Sequence, residues 1–327
     1  MDLARRGLGW AAAALMLGAA PNRSIAQPVY PTRPVRILVG AAPGGTADVV
    51  ARLIAQELTA TMGQPFVVEN RAGASSTLAA GAVATAAPDG YTLLLGASNT
   101  HAIGPNLMRT AYNHIADFAP VSLFCTGPLM LVVNPVALDV QSVPELIEKL
   151  KADPGRYNFG STSNGTGQHI AGELLKLRTG ARAEHVPYAT GSAQLLAGLL
   201  GNQVQFAFDS VQTMLPQVAD GRLRGLAVSS RERVAVAPDL PPMADFVGDF
   251  DIYNWWGILA PRQTPRPIVE RLSAEIQRMV RTPEMRQRIL DFGCIPVGST
   301  PDAFEAHVRT ETEKYGRIIR DADIRQG

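Results

Sequence analysis

Residues 35–63 read VRILV, then GAAPGGT, then ADVVARLIAQELTATM and a closing Gly63. The opening run, Val35 to Val39, is β-prone and bounded by turn formers. Pro43, Gly44 and Gly45 punctuate the middle segment. Beyond it Val49, Val50, Leu53, Ile54, Leu58 and Met62 recur at three- and four-residue spacing, which describes one apolar helical face, and Gly63 supplies a stop. A strand that feeds a glycine-rich turn and then a helix is the building unit of a parallel sheet.

The same rhythm continues outward. Residues 66–69 and 91–95 read as strands around a small-residue helix over 78–87, which Pro88-Asp89-Gly90 closes. Further strands are expected at 129–133, 157–160, 184–188, 203–208, 223–229 and 255–259, with helices at 143–151, 168–178 and 192–200. Three helical stretches, 268–280, 285–290 and 304–319, close the chain and are expected to pack on the first lobe. The fold class is therefore α/β: two doubly wound lobes, the first completed by a late return of the chain. Residues 27–127 form the first part of lobe one, 128–250 lobe two, and 251–327 the return to lobe one with the C-terminal helices.

Residues 1–26 stand apart. Arg5 and Arg6 precede an apolar run from Trp10 to Ala20, and Ser24-Ile25-Ala26 places small residues where a signal peptidase cuts. The apolar run is shorter than the ~20 residues of a membrane span. An export signal cleaved after Ala26 is expected, by the general or the twin-arginine route, and no Cys near that point suggests a lipid anchor. The working compartment is then the periplasm, where nucleotide cofactors are scarce. The whole chain has 327 residues, 46% hydrophobic and 18% charged, with formal charge +1 and two cysteines. That is a globular composition without a nucleic-acid footprint or a disulfide scaffold.

Ligands of open α/β sheets sit beyond the carboxyl ends of the strands. Four loops fall there: residues 43–46, 96–101, 161–167 and 189–192. They carry Gly, Ser, Thr and Asn and no Lys or Arg. Where such a loop opens a helix, unpaired backbone N–H groups and the positive end of the helix dipole can hold a carboxylate without a cation. The same residues also suit ordinary caps and turns. Recurrence in both lobes favours a site. Asp48, in the first turn of its helix, suits the dipole and could hold the Gly44-Gly45 loop by accepting N–H bonds.

Catalytic patterns do not assemble. Gly160-Ser161-Thr162-Ser163 is no nucleophile elbow, and Ile170 stands where a dinucleotide fingerprint needs its third glycine. His169 and Glu173 share a helix face without further metal ligands, so an ordinary helix pair is expected. His101 and His185 are read as packing or hydrogen-bonding residues, Cys125 and Cys294 as buried thiols, and Trp255 and Trp256 as packing residues. No cofactor and no metal are expected.

Several motifs together resemble the Bug family of extracytoplasmic solute receptors. They run from Tyr30-Pro31-Thr32-Arg33-Pro34 through Pro43-Gly44-Gly45-Thr46-Ala47-Asp48, Gly63-Gln64-Pro65, Val68-Glu69-Asn70-Arg71 and Pro88-Asp89-Gly90-Tyr91-Thr92-Leu93-Leu94. Asp117-Phe118-Ala119-Pro120-Val121, Ser163-Asn164-Gly165-Thr166 with His169, Gly172-Glu173-Leu174, His185-Val186-Pro187-Tyr188, and Trp255, Gly257 and Leu259-Ala260-Pro261 follow in order. The resemblance spans nearly the whole mature chain. It implies a Venus-flytrap fold, type II-like, with crossing strands between lobes and a carboxylate ligand gripped by backbone N–H groups, hydroxyls and water. Carried over by position, the contacts come from Gly44, Gly45, Thr46, Ser98, Asn99, Thr100 and His101 in the first lobe. In the second they come from Ser161, Thr162, Ser163, Gly165, Thr166, Ala189, Thr190, Gly191 and Asp209. The implied partners are a small organic acid and the membrane permease subunits of a tripartite tricarboxylate transporter, served by a monomer.

Two departures stand out. Ala189-Thr190 replaces the family's Lys-Gly, which removes a charge and points to an acid with fewer charges or an apolar part. Residues 241–250 stray from the usual pattern away from the ligand. A sensor that hands the closed form to a signalling protein, or an exported enzyme acting on small acids, are the alternatives.

Overall fold

The computed structural model describes residues 30–73, 76–188 and 191–325. The export segment and Ala189-Thr190 lie outside them.

Strand β1 (Val35–Val39) is the centre of the first lobe. It pairs in parallel with β2 (Phe66–Asn70) on one side and β3 (Thr92–Ala97) on the other. Between β1 and β2 runs α1 (Thr46–Met62), which buries Val50, Leu53, Ile54, Leu58 and Met62 and ends at Gly63 in the left-handed conformation. Helix α2 (Thr77–Ala84) joins β2 to β3. After β3 the chain makes a π-type turn, Asn99–Ile103, that runs directly into α3 (Gly104–Leu107). The sequence suggested a polar loop there.

The lobes share strand β4 (Phe118–Val133), 16 residues long. Its first part lies antiparallel to β9 (Tyr253–Pro261), which in turn pairs with β3. Its last part, from Leu129, pairs with β7 (Phe206–Ser210) and β8 (Arg224–Val228). One curled sheet therefore passes from lobe to lobe through β4. The sequence suggested a strand only from Leu129; Pro120 and Pro128 lie inside β4 although proline cannot donate to a ladder. They fit because the edge away from β9 is paired only at Cys125 and Thr126, by β10 (Ile295–Pro296), and two register shifts bend the β9 side.

In the second lobe β5 (Asn158–Ser161) pairs in parallel with β6 (Glu184–Pro187) and β7. Around them lie α4 (Val143–Ala152), α5 (Gly167–Thr179), α6 (Ser192–Leu200) and α7 (Val211–Ala219), the last not foreseen. Strand β7 begins and ends later than the expected 203–208, so Asp209 is its penultimate residue.

Helix α8 (Arg266–Arg281) buries Val269, Leu272, Ile276, Met279 and Val280 against the first lobe, each side chain contributing roughly 1.5–3 kcal/mol. Helix α9 (Pro283–Asp291) follows on the same side through Met285 and Ile289. Helix α10 (Pro301–Asp321) does more than pack on lobe one. It lies along β4 and the Asn99–Ile103 turn and also touches α5 of lobe two. Trp255 is fully buried against Phe304 and His307, ring centroids 5.6 and 5.4 Å away, so packing accounts for it. Cys125 and Cys294 are free and buried.

Candidate functional site

The parallel strands of both lobes point their carboxyl ends toward a common cleft. Between β1 and α1 the chain turns at Gly44, whose φ of +85° is open to glycine at no steric cost. The Asp48 carboxylate shapes this turn. It accepts Gly44 N–H (2.9 Å), Arg52 Nε (2.9 Å) and Asn70 Nδ2 (2.8 Å), and Asn70 also donates to Ala41 O. The hydrogen bond from Arg52, with those from Gly44 and Asn70, holds the carboxyl down to about 2 against the opposing effect of burial. Gly44 and Gly45 are exposed and Thr46 half-buried.

The next loop departs from expectation. Ser98 is buried, and its Oγ meets Asn254 Oδ1 of β9 at 3.3 Å. Thr100 turns inward, bonding Ala97 O and His101 Nδ1. His101 has no exposed surface. Its ring packs on Phe118 with centroids 4.7 Å apart, and burial pushes its pKa to about 3. Of these four residues only Asn99 reaches the cleft; Thr100 and His101 are corrected to interior roles. The π-type turn causes this, because a helical turn sends successive side chains to different faces where an extended loop would have presented them together.

In the second lobe Ser161 is fully buried. Its Oγ donates to Ser163 O (2.9 Å) and lies 2.6 Å from His185 Nε2. Thr166 caps α5: its Oγ1 accepts His169 N–H and donates to Ser163 O. Gly165, at φ +67°, gives its N–H to His169 Nδ1 at 3.1 Å, so that donor is already used. His169 and His185 stack with centroids 3.8 Å apart, and burial lowers their pKa values to about 4 and about 3. Neutral imidazoles thus brace the loop from below. His169 Nε2 lies 3.8 Å from Glu173, the helix pair that the sequence suggested. Thr162 is half-buried in the same loop.

These loops meet. A pocket of about 140 Å³ is lined from the first lobe by Ser76, Asn99, Gly104, Leu107 and Met108, and from the second by Ser163, Asn164, Gly165 and Thr166. None of its lining residues is charged. Asn99 Oδ1 is buried there without a hydrogen-bond partner among the described residues. Gly44, Gly45 and Thr46 do not line this pocket, although the backbone of Gly40, at the head of the same turn, approaches Ser76 closely. Gly191 opens α6 at φ +100°, and Asp209 lies buried beneath it, with Gln168 and Ser192 donating to Oδ1, each at 3.1 Å. Ala189 and Thr190 are outside the described residues. Leu107, Met108 and Asn254 were missed by sequence reasoning. The two apolar side chains look like core residues, and Asn254 is one polar position in a strand, so neither carried a signal. Among the described residues no cluster of three or more His, Cys, Asp or Glu side chains could hold a metal.

A curled sheet shared by two α/β lobes, with an uncharged donor-lined cleft between them, defines a two-lobed solute-binding protein. The chain belongs to the tripartite tricarboxylate transporter family of receptors, whose model matches residues 50–324. It is 36% identical over 304 residues to BugT of Bordetella pertussis, covering 91% of this chain and 93% of that one. Among solved structures it resembles an R. palustris protein with adipate, at TM-score 0.82 and 32% identity, covering 90% of this chain and 99% of the other. It also resembles MatC of Rhodopseudomonas palustris with bound malate, at TM-score 0.77 and 31% identity over 89% and 100% of the two chains. The periplasmic binding protein BugD matches at TM-score 0.78 and 29% identity, covering 91% of this chain and all of BugD.

Proposed function

We propose that this chain is a periplasmic receptor that captures a small organic acid between its lobes and delivers it to the membrane subunits of a tripartite tricarboxylate transporter. The observation that carries this reading is the pocket to which both lobes contribute hydroxyl and amide side chains and neither contributes a charge. A ligand that touches both lobes binds the closed arrangement better than the open one and shifts the population toward it. A buried carboxylate needs its lone pairs satisfied, which donor-rich loops at helix N-termini can do. Leu107 and Met108 give one wall an apolar character, which supports an acid with an apolar part. The chain works as a monomer, from Gln27 onward after cleavage behind Ala26, and does no chemistry on its ligand.

The test is a thermal-shift screen of the chain from Gln27 against adipate, malate, citrate and benzoate, with NAD and divalent metals as controls. An acid at a hundred times its dissociation constant stabilises by about 2.7 kcal/mol. We expect one acid to raise the midpoint and to be recovered unchanged. A shift by a cofactor or metal alone, or conversion of the acid, would overturn the reading in favour of an enzyme.

A further inference from the structure

A second cavity lies on the other face of the hinge. Its volume is about 480 Å³, against about 140 Å³ for the pocket between the jaws. That falls within the roughly 300–1,000 Å³ of sites that hold small organic molecules. The hinge strands form its floor, through Thr126 and Pro128 of β4 and Tyr253 of β9. Tyr253 and its neighbour Asn254 leave β9 on opposite faces. Asn254 turns to Ser98, and its Oδ1 would meet a Cβ added at Gly167, so its face is the one behind the cleft loops. The cavity opens from the face that Tyr253 shares with its partner Pro128.

Both lobes wall this cavity. Leu290 of α9 and Ile295 and Pro296 of β10 come from the first, and Val234, in the segment after β8, from the second. Each lobe also brings an exposed guanidinium with little to hold it. Arg286, on α9, makes no side-chain hydrogen bond or ion pair among the described residues. Arg231 reaches only Asp249, at 3.7 Å and on the surface. Arg233 is held by its own loop, donating to Pro238 O and Leu240 O. Of the two carboxylates at the cavity, Asp251 accepts Arg231 N–H and faces Lys314 Nζ at 3.8 Å, and Glu232 is exposed. Three guanidiniums thus meet two carboxylates, and the two least committed cations stand on opposite lobes. Apolar walls with a cation on each side suit a molecule with an apolar body and one acidic head.

We propose that this cavity is a second ligand site, for an amphipathic organic anion. The apolar body lies among Pro128, Leu290 and Ile295, and the acidic head between Arg286 of the first lobe and Arg231 of the second. A bound anion holds the receptor closed and so tightens the grip of the cleft on its own acid. The sense follows from the geometry. Leu107 packs on Gly165 across the cleft, so the jaws are together and the cavity has its closed-state width. Rotation about the hinge that parts the jaws brings the walls on the other face together. A molecule filling the cavity opposes that rotation. By linkage, acid in the cleft favours anion in the cavity by the same factor. This coupling rests on the receptor reading above; the site itself does not.

The test uses anilinonaphthalene sulfonate, an aromatic sulfonate that brightens in apolar surroundings. It is titrated into the chain from Gln27, with and without a saturating acid chosen from adipate, malate, citrate and benzoate. We expect one saturable site. Arg286→Ala and Arg231→Ala should each weaken it about threefold, as befits exposed charges, and the double variant about tenfold. In wild type the saturating acid should tighten sulfonate binding at least about threefold. Undiminished sulfonate binding in the double variant would overturn the site. Equal or weaker binding with the acid present would overturn the coupling. If none of the acids binds, the receptor reading falls, and the sulfonate titration of the free chain and its variants still decides the cavity.

Discussion

The Asp48 carboxylate ties a backbone N–H, a guanidinium and an amide to one point, and so converts a mobile glycine turn into a fixed one. Arg52, one helical turn away, could be read from spacing; Asn70, a strand away, could not. Because the pKa of Asp48 is depressed, its contribution to stability is present above the unfolded value near 3.8 and is lost as pH falls through about 2. It is therefore intact at every pH a receptor would meet. Asp48→Ala is expected to lower stability by about 1–3 kcal/mol, since it strands the Gly44 N–H and the Asn70 amide. It should also weaken acid binding, while Asp48→Asn, which keeps an acceptor for Gly44, should lose less. Chemical denaturation and calorimetry of the two variants check this. Equal losses would mean that the Arg52 charge, and not the shape of the turn, matters.

At the level of elements, the loop between β5 and α5 and the short helix α3 form the two jaws of the cleft. A Cβ added at Gly165 would overlap Leu107 Cδ1 from the opposite lobe, and φ there is +67°. Gly165→Ala should thus cost about 1–2 kcal/mol of stability through the left-handed backbone. It should also weaken acid binding at least about tenfold, the equivalent of ~1.4 kcal/mol, by holding the jaws apart. Adding Leu107→Ala should recover part of the affinity and none of the stability. If Leu107→Ala rescues neither, the lobes do not meet at this point when the acid is bound. The β5–α5 loop was legible because its caps and glycines are local features of the chain. The neighbouring turn at Asn99–Ile103 was not, because polar residues without Pro or Gly leave helix and loop equally open, and burial of His101 against Phe118 and Tyr112 decides between them.

At the scale of the whole molecule, all five histidines have lowered pKa values, chiefly through burial, with His101 and His185 near 3 and His169 and His307 near 4. Each is neutral when folded and takes a proton on unfolding, so its contribution is full above about pH 6.5 and falls away as pH drops toward the folded pKa. Asp209 and Glu311, with raised values, act in the opposite direction. The five imidazoles outnumber the two carboxyls, so the expectation is a net loss of stability as pH falls from about 6.5 to about 5.5. Urea unfolding at the two pH values measures it, and a flat profile would show that the buried imidazoles are hydrated.

Periodicity, glycine-bearing turns and helix stops are properties of short stretches, and they were enough for the α/β class, most strands and helices, and the placing of donor-rich loops at strand ends. The ordered motifs were enough for the receptor family. Only the tertiary structure decided that β4 is one strand through two prolines, that Thr100 and His101 face inward, that Leu107 meets Gly165, and that Asp209 is buried between the first turns of two helices. Each of those depends on which distant segment lies alongside: an unpaired sheet edge, an aromatic cluster, the opposite lobe, two helix ends. Local propensity cannot report a neighbour more than a hundred residues away, such as Asn254 beside Ser98.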